Sequence, residues 1–519
     1  MRLDSPAMLR QAYRIPLAAR CLFGWMLLLA VGCGGRTEQV PLHPNVLWIV
    51  ADDLGTQLGA YGDPLARTPN LDRLAKRAVL FERAYCQYPL CNPSRTSMLS
   101  GLRPQATGVL DNYTEPRHHR KDLRFLPEEL AAAGYFTFRV GKVLHATYEP
   151  AILWQEVASL DGSLRRLPRR PPQPGQRKPG VISQLLPRPG VDEAIDQFYW
   201  QELDDDLAPR MTDATAADQA IGLLTRLAQQ KPSERRPFFG AIGLSSPHLP
   251  YVAPSRVFRQ FPPERFPLPS APPDDMADVP ERARLRGMWH PGVAEADLRQ
   301  IRAAYYAAVS FMDEQLGRVL DELDRLKLTR DTVIVFTSDH GTQLGEHGGL
   351  WEKMTFFEEV TRVPLLVAAP GKAKGQRHAG IVELIDLYPT LTALAGLPPR
   401  SDLPGQDLGP ALAAPSSTPS GAAMTVISLG GPDRLARSVR SRLYRYSEWG
   451  NRRDSELYDL TTDPHELQNL ASQPRWLPIK KRLHKLLGRL ETGQAPAARF
   501  EEGAGQEPSA TQADRAADS

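Results

Sequence analysis

Four cysteines in 519 residues are too few for a disulfide-built scaffold. Two of them, Cys21 and Cys33, fall in or beside an N-terminal apolar stretch, so only Cys86 and Cys91 remain in the body of the chain. Charge of one sign is equally scarce: 63 Lys and Arg against 60 Asp and Glu leave a formal net charge of +3. No dense basic helix and no aromatic-plus-basic RNA motif occurs, so nucleic acid is not an expected partner. Transmembrane helices are also missing from the pattern, because the apolar stretch Cys21–Val31 is too short to span a bilayer and no later segment reads as one. There is no internal repeat. What is present, 42% hydrophobic and 24% charged residues, suits a soluble globular protein of one large or two unequal domains.

Arg2, Arg10, Arg14 and Arg20 precede that apolar stretch, and residues 1–33 read as an export signal. Ala30-Val31-Gly32-Cys33-Gly34 resembles a bacterial lipobox, in which Cys33 carries lipid and anchors the protein to a membrane. A cut at a small-residue site with Cys33 incidental is the alternative. The expected location is outside the cytoplasm: periplasmic or outer-membrane-associated as a lipoprotein, or secreted.

From Asn45 the pattern is an α/β one. The apolar run to Val50 reads as a strand buried on both faces, and Thr68-Pro69 as the cap and first turn of a helix bearing Leu71, Leu74, Ala75 and Ala78. A helix over Leu126 to Ala133, a stop at Gly134 and a strand over Tyr135 to Val140 repeat the alternation. Further strands are expected at Pro237 to Leu244, Thr332 to Thr337 and Pro364 to Ala369. The stripe Ile301, Tyr305, Ala308, Met312, Leu316, Val319 and Leu323 predicts a long amphipathic helix. Together these give a mostly parallel central sheet with helices on both faces over 42–397 and a smaller C-terminal α+β subdomain over 398–492. The Ala, Glu and Gln-rich residues 493–519 are an expected disordered tail.

Ligand sites of open α/β sheets lie beyond the carboxyl ends of the strands. Four such ends carry unusual groups here: Asp52 and Asp53, Lys142 and His145, His248, and Asp339 with His340. Any one of these has a bland explanation, such as a helix cap or a satisfied surface histidine; four in one sheet do not. Three carboxylates and an imidazole suit a divalent cation, and their clustered negative charge calls for one, with calcium, magnesium and manganese all compatible. Pro93 suits the first turn of a helix whose apolar face is Met98, Leu99 and Leu102. That places Cys91 at a helix N-terminus, where free amides favour an anion.

Cys91-Asn92-Pro93-Ser94-Arg95, with Thr96-Ser97-Met98-Leu99-Ser100-Gly101-Leu102-Arg103-Pro104 behind it, resembles the signature of the sulfatases of the alkaline phosphatase superfamily, in which the cysteine is oxidised to formylglycine. Matching pieces run along nearly the whole chain: Gly141-Lys142-Val143-Leu144-His145, Pro247-His248-Leu249-Pro250, Thr337-Ser338-Asp339-His340-Gly341, Gly345-Glu346-His347-Gly348, Trp351-Glu352-Lys353 and Glu456-Leu457-Tyr458-Asp459. The Lys-x-x-His spacing and His340 point to the iduronate-2-sulfatase-like branch.

The resemblance implies that Asp52, Asp53, Asp339, His340 and modified Cys91 bind calcium, and that Arg95 holds the formylglycine. Lys142 and Lys353 would grip sulfate oxygens, His248 would protonate the leaving alcohol, and His145 would assist breakdown of a covalent sulfo-enzyme intermediate. A plain thiol could not perform that second step. The implied partners are a sulfated carbohydrate and a formylglycine-generating maturation enzyme. Within the same resemblance, a phosphonate monoester or phosphodiester hydrolase is an alternative activity, and an inactive glycan-binding lipoprotein a third reading. Asn92 stands where Ala, Ser or Thr is commoner. The Pro- and Arg-rich segment 162–190 reads as a solvated insertion loop, with a groove for a sulfated polysaccharide as the alternative.

Overall fold

Val46–Ala51 is apolar throughout, and a strand of that composition needs cover on both faces. In a computed structural model, which describes residues 43–164, 200–284, 288–289, 294–416, 421–430 and 434–493, it has that cover. The expected signal with Cys33, nearly all of segment 162–190 and all but the first residue of the tail lie outside the described residues.

The main elements in chain order are β1 (Asn45–Ala51), α1 (Pro69–Ala75), β2 (Val79–Tyr85), α2 (Cys91–Ser100), α3 (Leu126–Ala132), β3 (Phe136–Gly141), β4 (Glu156–Ala158), α4 (Thr212–Gln229), β5 (Phe238–Gly243), α5 (Glu295–Arg325), β6 (Thr332–Ser338), β7 (Arg362–Ala368), β8 (Gln376–Glu383) and α6 (Leu387–Leu394). The eight strands form one sheet in the order β8-β2-β7-β6-β1-β5-β3-β4. All run parallel except β7, which is antiparallel to both neighbours.

Alternate side chains of β1 feed two different cores. Leu47, Ile49 and Ala51 pack with Leu71 and Leu74 of α1, Leu224 of α4, and Tyr305, Met312 and Leu316 of α5. Val46, Trp48 and Val50 pack with Met98 and Leu99 of α2, Leu126 and Leu130 of α3, and Leu387 and Leu391 of α6. This is the expected sheet with helices on both faces.

Thr68 does not cap α1 with its side chain; its hydroxyl accepts the Gly59 N–H at 3.0 Å. Asp313 of α5 takes the first-turn amides instead, accepting from Asn70 N–H at 3.0 Å and Leu71 N–H at 2.8 Å. A partner 242 residues away thus supplies what a local cap was expected to give.

Beyond the main sheet, β9 (Ala423–Ser428), β10 (Leu435–Arg440), β11 (Tyr444–Trp449) and β12 (Ser455–Asp459) form an antiparallel sheet. α7 (Leu477–Glu491) packs Leu483, Leu486, Leu487 and Leu490 against Met424, Val426, Val439, Tyr446 and Leu457. Leu408, Ala411 and Leu412 belong to the core of the main sheet. A buried ionic knot joins the two sheets. Glu358 accepts from Arg440 Nε at 2.8 Å, Arg445 Nη2 at 2.5 Å and the Tyr85 hydroxyl at 3.0 Å, while Arg445 Nε also bonds Glu466.

Removing one partner of such a knot strands the others in a dry interior. Arg445→Ala is expected to destabilise the protein by about 3–5 kcal/mol, measured by urea unfolding; a loss below about 1 kcal/mol, the range of an exposed ion pair, would show that the knot carries little.

Candidate active site

Register decides where the site lies. Ala51 pairs with Ser338, Val50 with Gly243, and Gly141 with Gly243, so β1, β3, β5 and β6 end level with one another. Asp52, Lys142, Leu244 and Asp339 therefore emerge along one edge. Asp53 turns with φ 63°, a conformation that non-glycine residues adopt rarely, and its N–H donates to Asp339 Oδ1 at 3.2 Å. The chain leaves β3 through Gly141 at φ 71°, where a Cβ would lie 2.1 Å from the Gly243 carbonyl oxygen. Only glycine lets the two strand ends approach so closely before Lys142.

Cys91 is the first residue of α2, and every residue of that helix is buried. Its apolar side faces the second core, as the sequence pattern implies, while its polar side holds the strand ends. Arg95, with no solvent exposure, donates from Nε to Asp339 Oδ2 at 2.8 Å and from Nη2 to Asp52 Oδ1 at 2.8 Å. Nη1 donates to the Lys142 carbonyl at 2.7 Å and the Val143 carbonyl at 3.2 Å. One guanidinium thus ties the ends of β1, β3 and β6 together. Ser94 Oγ adds a 2.5 Å bond to the Asp339 carbonyl.

The expected site residues converge. Cys91 Sγ lies 3.5 Å from His340 Nε2, 3.4 Å from Lys353 Nζ and 3.9 Å from Asp53 Oδ1. Lys353 Nζ also sits 3.0 Å from both oxygens of Asp53, and it is delivered by a segment whose neighbours Glu352 and Met354 have φ of 62° and 72°. Lys142 Nζ contacts Asp52 Oδ1 at 2.8 Å and Oδ2 at 2.6 Å. His248 Nε2 is 4.0 Å from Asp53 Oδ2. His145 Nδ1 is buried without a hydrogen-bond partner among the described residues.

Charge and burial compete at every group. Burial would raise Asp52, but Lys142 and Arg95 hold its carboxyl well below the usual range, and Lys353 and His248 do the same for Asp53. Burial would also raise the Cys91 thiol, yet Lys142 and Lys353 draw it down to about 6. Burial would lower His340 and His248; Asp339 and Asp53 raise His340 to about 9, and Asp53 and Asp52 raise His248. His145 goes the other way, pushed down to about 4 by burial and the Lys142 charge.

Arg95, Lys142 and Lys353 already match the three carboxylates, before any charge on His340 or His248 is counted, so the clustered negative charge does not by itself call for a metal ion. The case for an ion rests on donor geometry. Ligand atoms of Asp53, Cys91, Asp339 and His340 all lie within 4.8 Å of one another. Ligands roughly 2.3–2.6 Å from one calcium span up to about 5 Å, so the set fits a single ion. His340 Nδ1 lies 2.8 Å from the Gly341 carbonyl; the tautomer that donates there leaves the Nε2 lone pair on the site. Asp52, expected with these ligands, stands outside the group and is held by Arg95 and Lys142.

Two supports escaped the sequence reading. Glu149 accepts from Val143 N–H at 2.7 Å and Leu144 N–H at 3.0 Å, fixing the Lys142–His145 segment. Asp213 accepts from Ser245 N–H at 2.6 Å and Ser246 N–H at 3.1 Å, fixing the turn before His248. Neither acid lies in a motif; their only sequence signal is an acid within seven residues of a motif in one case and none in the other.

A family profile described as Sulfatase matches residues 44–397, and one described as N-sulphoglucosamine sulphohydrolase, C-terminal, matches residues 345–493. Iduronate 2-sulfatase of Mus musculus is 34% identical over 404 residues, 69% of this chain and 70% of its own length. That of Homo sapiens is 34% identical over 419 residues, 72% and 74% of the two chains. Choline-sulfatase of Rhizobium meliloti is 32% identical over 442 residues, 83% of each. The fold is similar to that of the phosphonate monoester hydrolase of Agrobacterium radiobacter, with a TM-score of 0.69 at 23% identity over 87% of this chain and 96% of that one. The chain belongs to the sulfatase family. Within it the chain falls in the iduronate-2-sulfatase-like branch, and it is a sulfuric ester hydrolase.

Arg95→Lys replaces a fork that reaches three strand ends with one point charge. Misplacement of catalytic groups by about 1 Å can cost about 100-fold in rate, so hydrolysis is expected to fall by that order, together with the melting temperature. Near-native values of both would contradict the organising role of Arg95.

Proposed function

We propose that this sulfatase removes O-sulfate from a sugar or uronic acid of a sulfated glycan, using formylglycine made from Cys91 by a maturation enzyme and one calcium ion. The observation that carries the reading is the seat of Cys91: first residue of a buried helix, within 3.5 Å of both Lys353 and His340. The similarity to the iduronate 2-sulfatases supports the sugar and uronic acid part of it. Residue 91, Asp53, Asp339 and His340 would hold the ion, which would supply Lewis acidity there. Hydrated formylglycine would supply one hydroxyl to attack sulfur as the ester S–O bond breaks, and a second whose deprotonation would re-form the aldehyde and expel sulfate.

The remaining residues act by position. Lys353, beside Cys91, and Lys142, held on Asp52, are compact cations suited to the oxygens of an entering sulfate and to the charge that grows in the transition state. His248 Nδ1 lies 2.7 Å from the Leu249 carbonyl, and with that tautomer Nε2 is turned toward the site. Its raised basicity keeps a proton available there for the departing alcohol. His145, held neutral, is the group free to accept a proton from residue 91. Arg95 is engaged with Asp52 and Asp339, so its part is to hold the frame around residue 91.

In protein made with a working maturation system, peptide mass spectrometry is expected to find formylglycine at position 91. Cys91→Ala should lose essentially all hydrolysis, and chelation should lower both rate and melting temperature. Persistent thiol in active enzyme, or undiminished turnover by Cys91→Ala, overturns the proposal. Faster cleavage of an aryl phosphonate than of an aryl sulfate would favour the phosphonate hydrolase reading instead. The N-terminal segment further leads us to place the mature enzyme outside the cytoplasm, either anchored by lipid on Cys33 or secreted; lipid labelling unaffected by Cys33→Ala would remove the anchor.

A further inference from the structure

Asn92 departs from the small residue more usual at its place in the signature, and its surroundings are specific. Its side-chain amide donates to two carbonyls of one loop, Asp111 at 2.9 Å and Thr114 at 2.8 Å. Its backbone N–H donates to Asn112 Oδ1 at 3.0 Å. Loop 111–114 is thereby fastened to the residue that follows Cys91. Asp111 tightens the loop from within, accepting from Tyr113 N–H at 2.8 Å and Thr114 N–H at 2.7 Å. From the opposite side the Tyr148 hydroxyl donates to the Tyr113 carbonyl, and the Tyr148 ring lies 6.4 Å from that of His145.

Tyr113 is therefore bound through both its backbone groups while the residue is 81% exposed, more than any other large hydrophobic residue among the described ones. A single exposed aromatic is ordinary on a protein surface. This one is set apart by a loop fixed between Asn92, which follows Cys91, and Tyr148, whose ring neighbours that of His145.

We propose that Tyr113 is a stacking platform for a pyranose ring of the substrate, and that Asn92 is the positioning residue that holds it beside residue 91. The inference rests on the glycan reading given above and deepens it. An aromatic ring offers a broad apolar face with few rotatable bonds, and a loop already fixed loses little freedom when a sugar settles on it. The apolar face of the sugar would lie on the Tyr113 ring, leaving its sulfate ester to reach between Lys142 and Lys353.

The test compares wild type, Tyr113→Ala, Tyr113→Phe and Asn92→Ala on defined sulfated disaccharides released from heparin and chondroitin sulfate. Rates are referred to the formylglycine content of each preparation by mass spectrometry, so that altered maturation of Asn92→Ala is not read as altered binding. On the disaccharide turned over best, Tyr113→Ala is expected to lower kcat/KM by about tenfold or more, the scale of losing one good apolar pocket contact, mainly by raising KM. Tyr113→Phe keeps the ring and is expected to stay within about twofold of wild type, while Asn92→Ala shifts KM in the same direction as Tyr113→Ala. Tyr113→Ala with unchanged KM, or Tyr113→Phe as impaired as Tyr113→Ala, overturns the platform and leaves the glycan reading standing. Matured enzyme that hydrolyses 4-nitrophenyl sulfate but none of the disaccharides overturns the glycan reading, and the platform with it.

Discussion

A guanidinium with no exposure to water must find an acceptor for each of its donors, and in this chain Arg95 finds them at the ends of three different strands. That requirement organises the site. It draws Asp52 from β1, the 142–143 carbonyls from β3 and Asp339 from β6 to one point, and α2 cannot dock without them. The same helix carries Cys91 at its N-terminus, so the position of Cys91 and the strand ends are set by one interaction. Replacing any acceptor would leave the arginine uncompensated in the interior, which ties the integrity of the fold to that of the chemistry.

The balance of charge follows from this arrangement. Arg95, Lys142 and Lys353 match Asp52, Asp53 and Asp339 in short pairs, and the cations hold Asp52 and Asp53 ionised in spite of burial. Of the three cations only Arg95 is fully enclosed; the side chains of Lys142 and Lys353 are 16% and 12% exposed. They are the two that an entering anion can reach. An arriving sulfate monoester would compete with Asp52 and Asp53 for their ammonium groups, and a divalent ion among Asp53, Asp339 and His340 would compensate the carboxylates so released. Substrate and ion would in this sense be complementary, each making room for the other's charge.

Much of this was legible beforehand. Apolar runs such as Val46–Ala51 could only be doubly covered strands, Gly134 ended its helix with φ 93°, and polar groups at strand ends marked the edge where chemistry collects. The residues expected at the site are near one another because register aligns those ends, and register follows from the apolar runs. What sequence could not supply were partnerships across hundreds of residues. Asp313 caps α1 in place of Thr68, and Asp213 steadies the His248 turn from the start of α4. The pairing of Asp52 with cations was hidden for the same reason: a run of acids reads as unbalanced charge until the lysines that face it are placed. β7 runs against its neighbours because of the way the chain returns through the Lys353 segment, and its composition is that of any buried strand. Asn92, legible only as a departure, acquires meaning from the loop it holds.

The most direct test of the central claim is a crystal structure of the matured enzyme grown with calcium, with the ion located by its anomalous signal. The account predicts one ion contacting Asp53, Asp339, His340 and residue 91, formylglycine density at that residue, and Arg95 bridging Asp52 and Asp339. An ion bound elsewhere, an unoccupied cluster at saturating calcium, or Arg95 turned away from both carboxylates would contradict it.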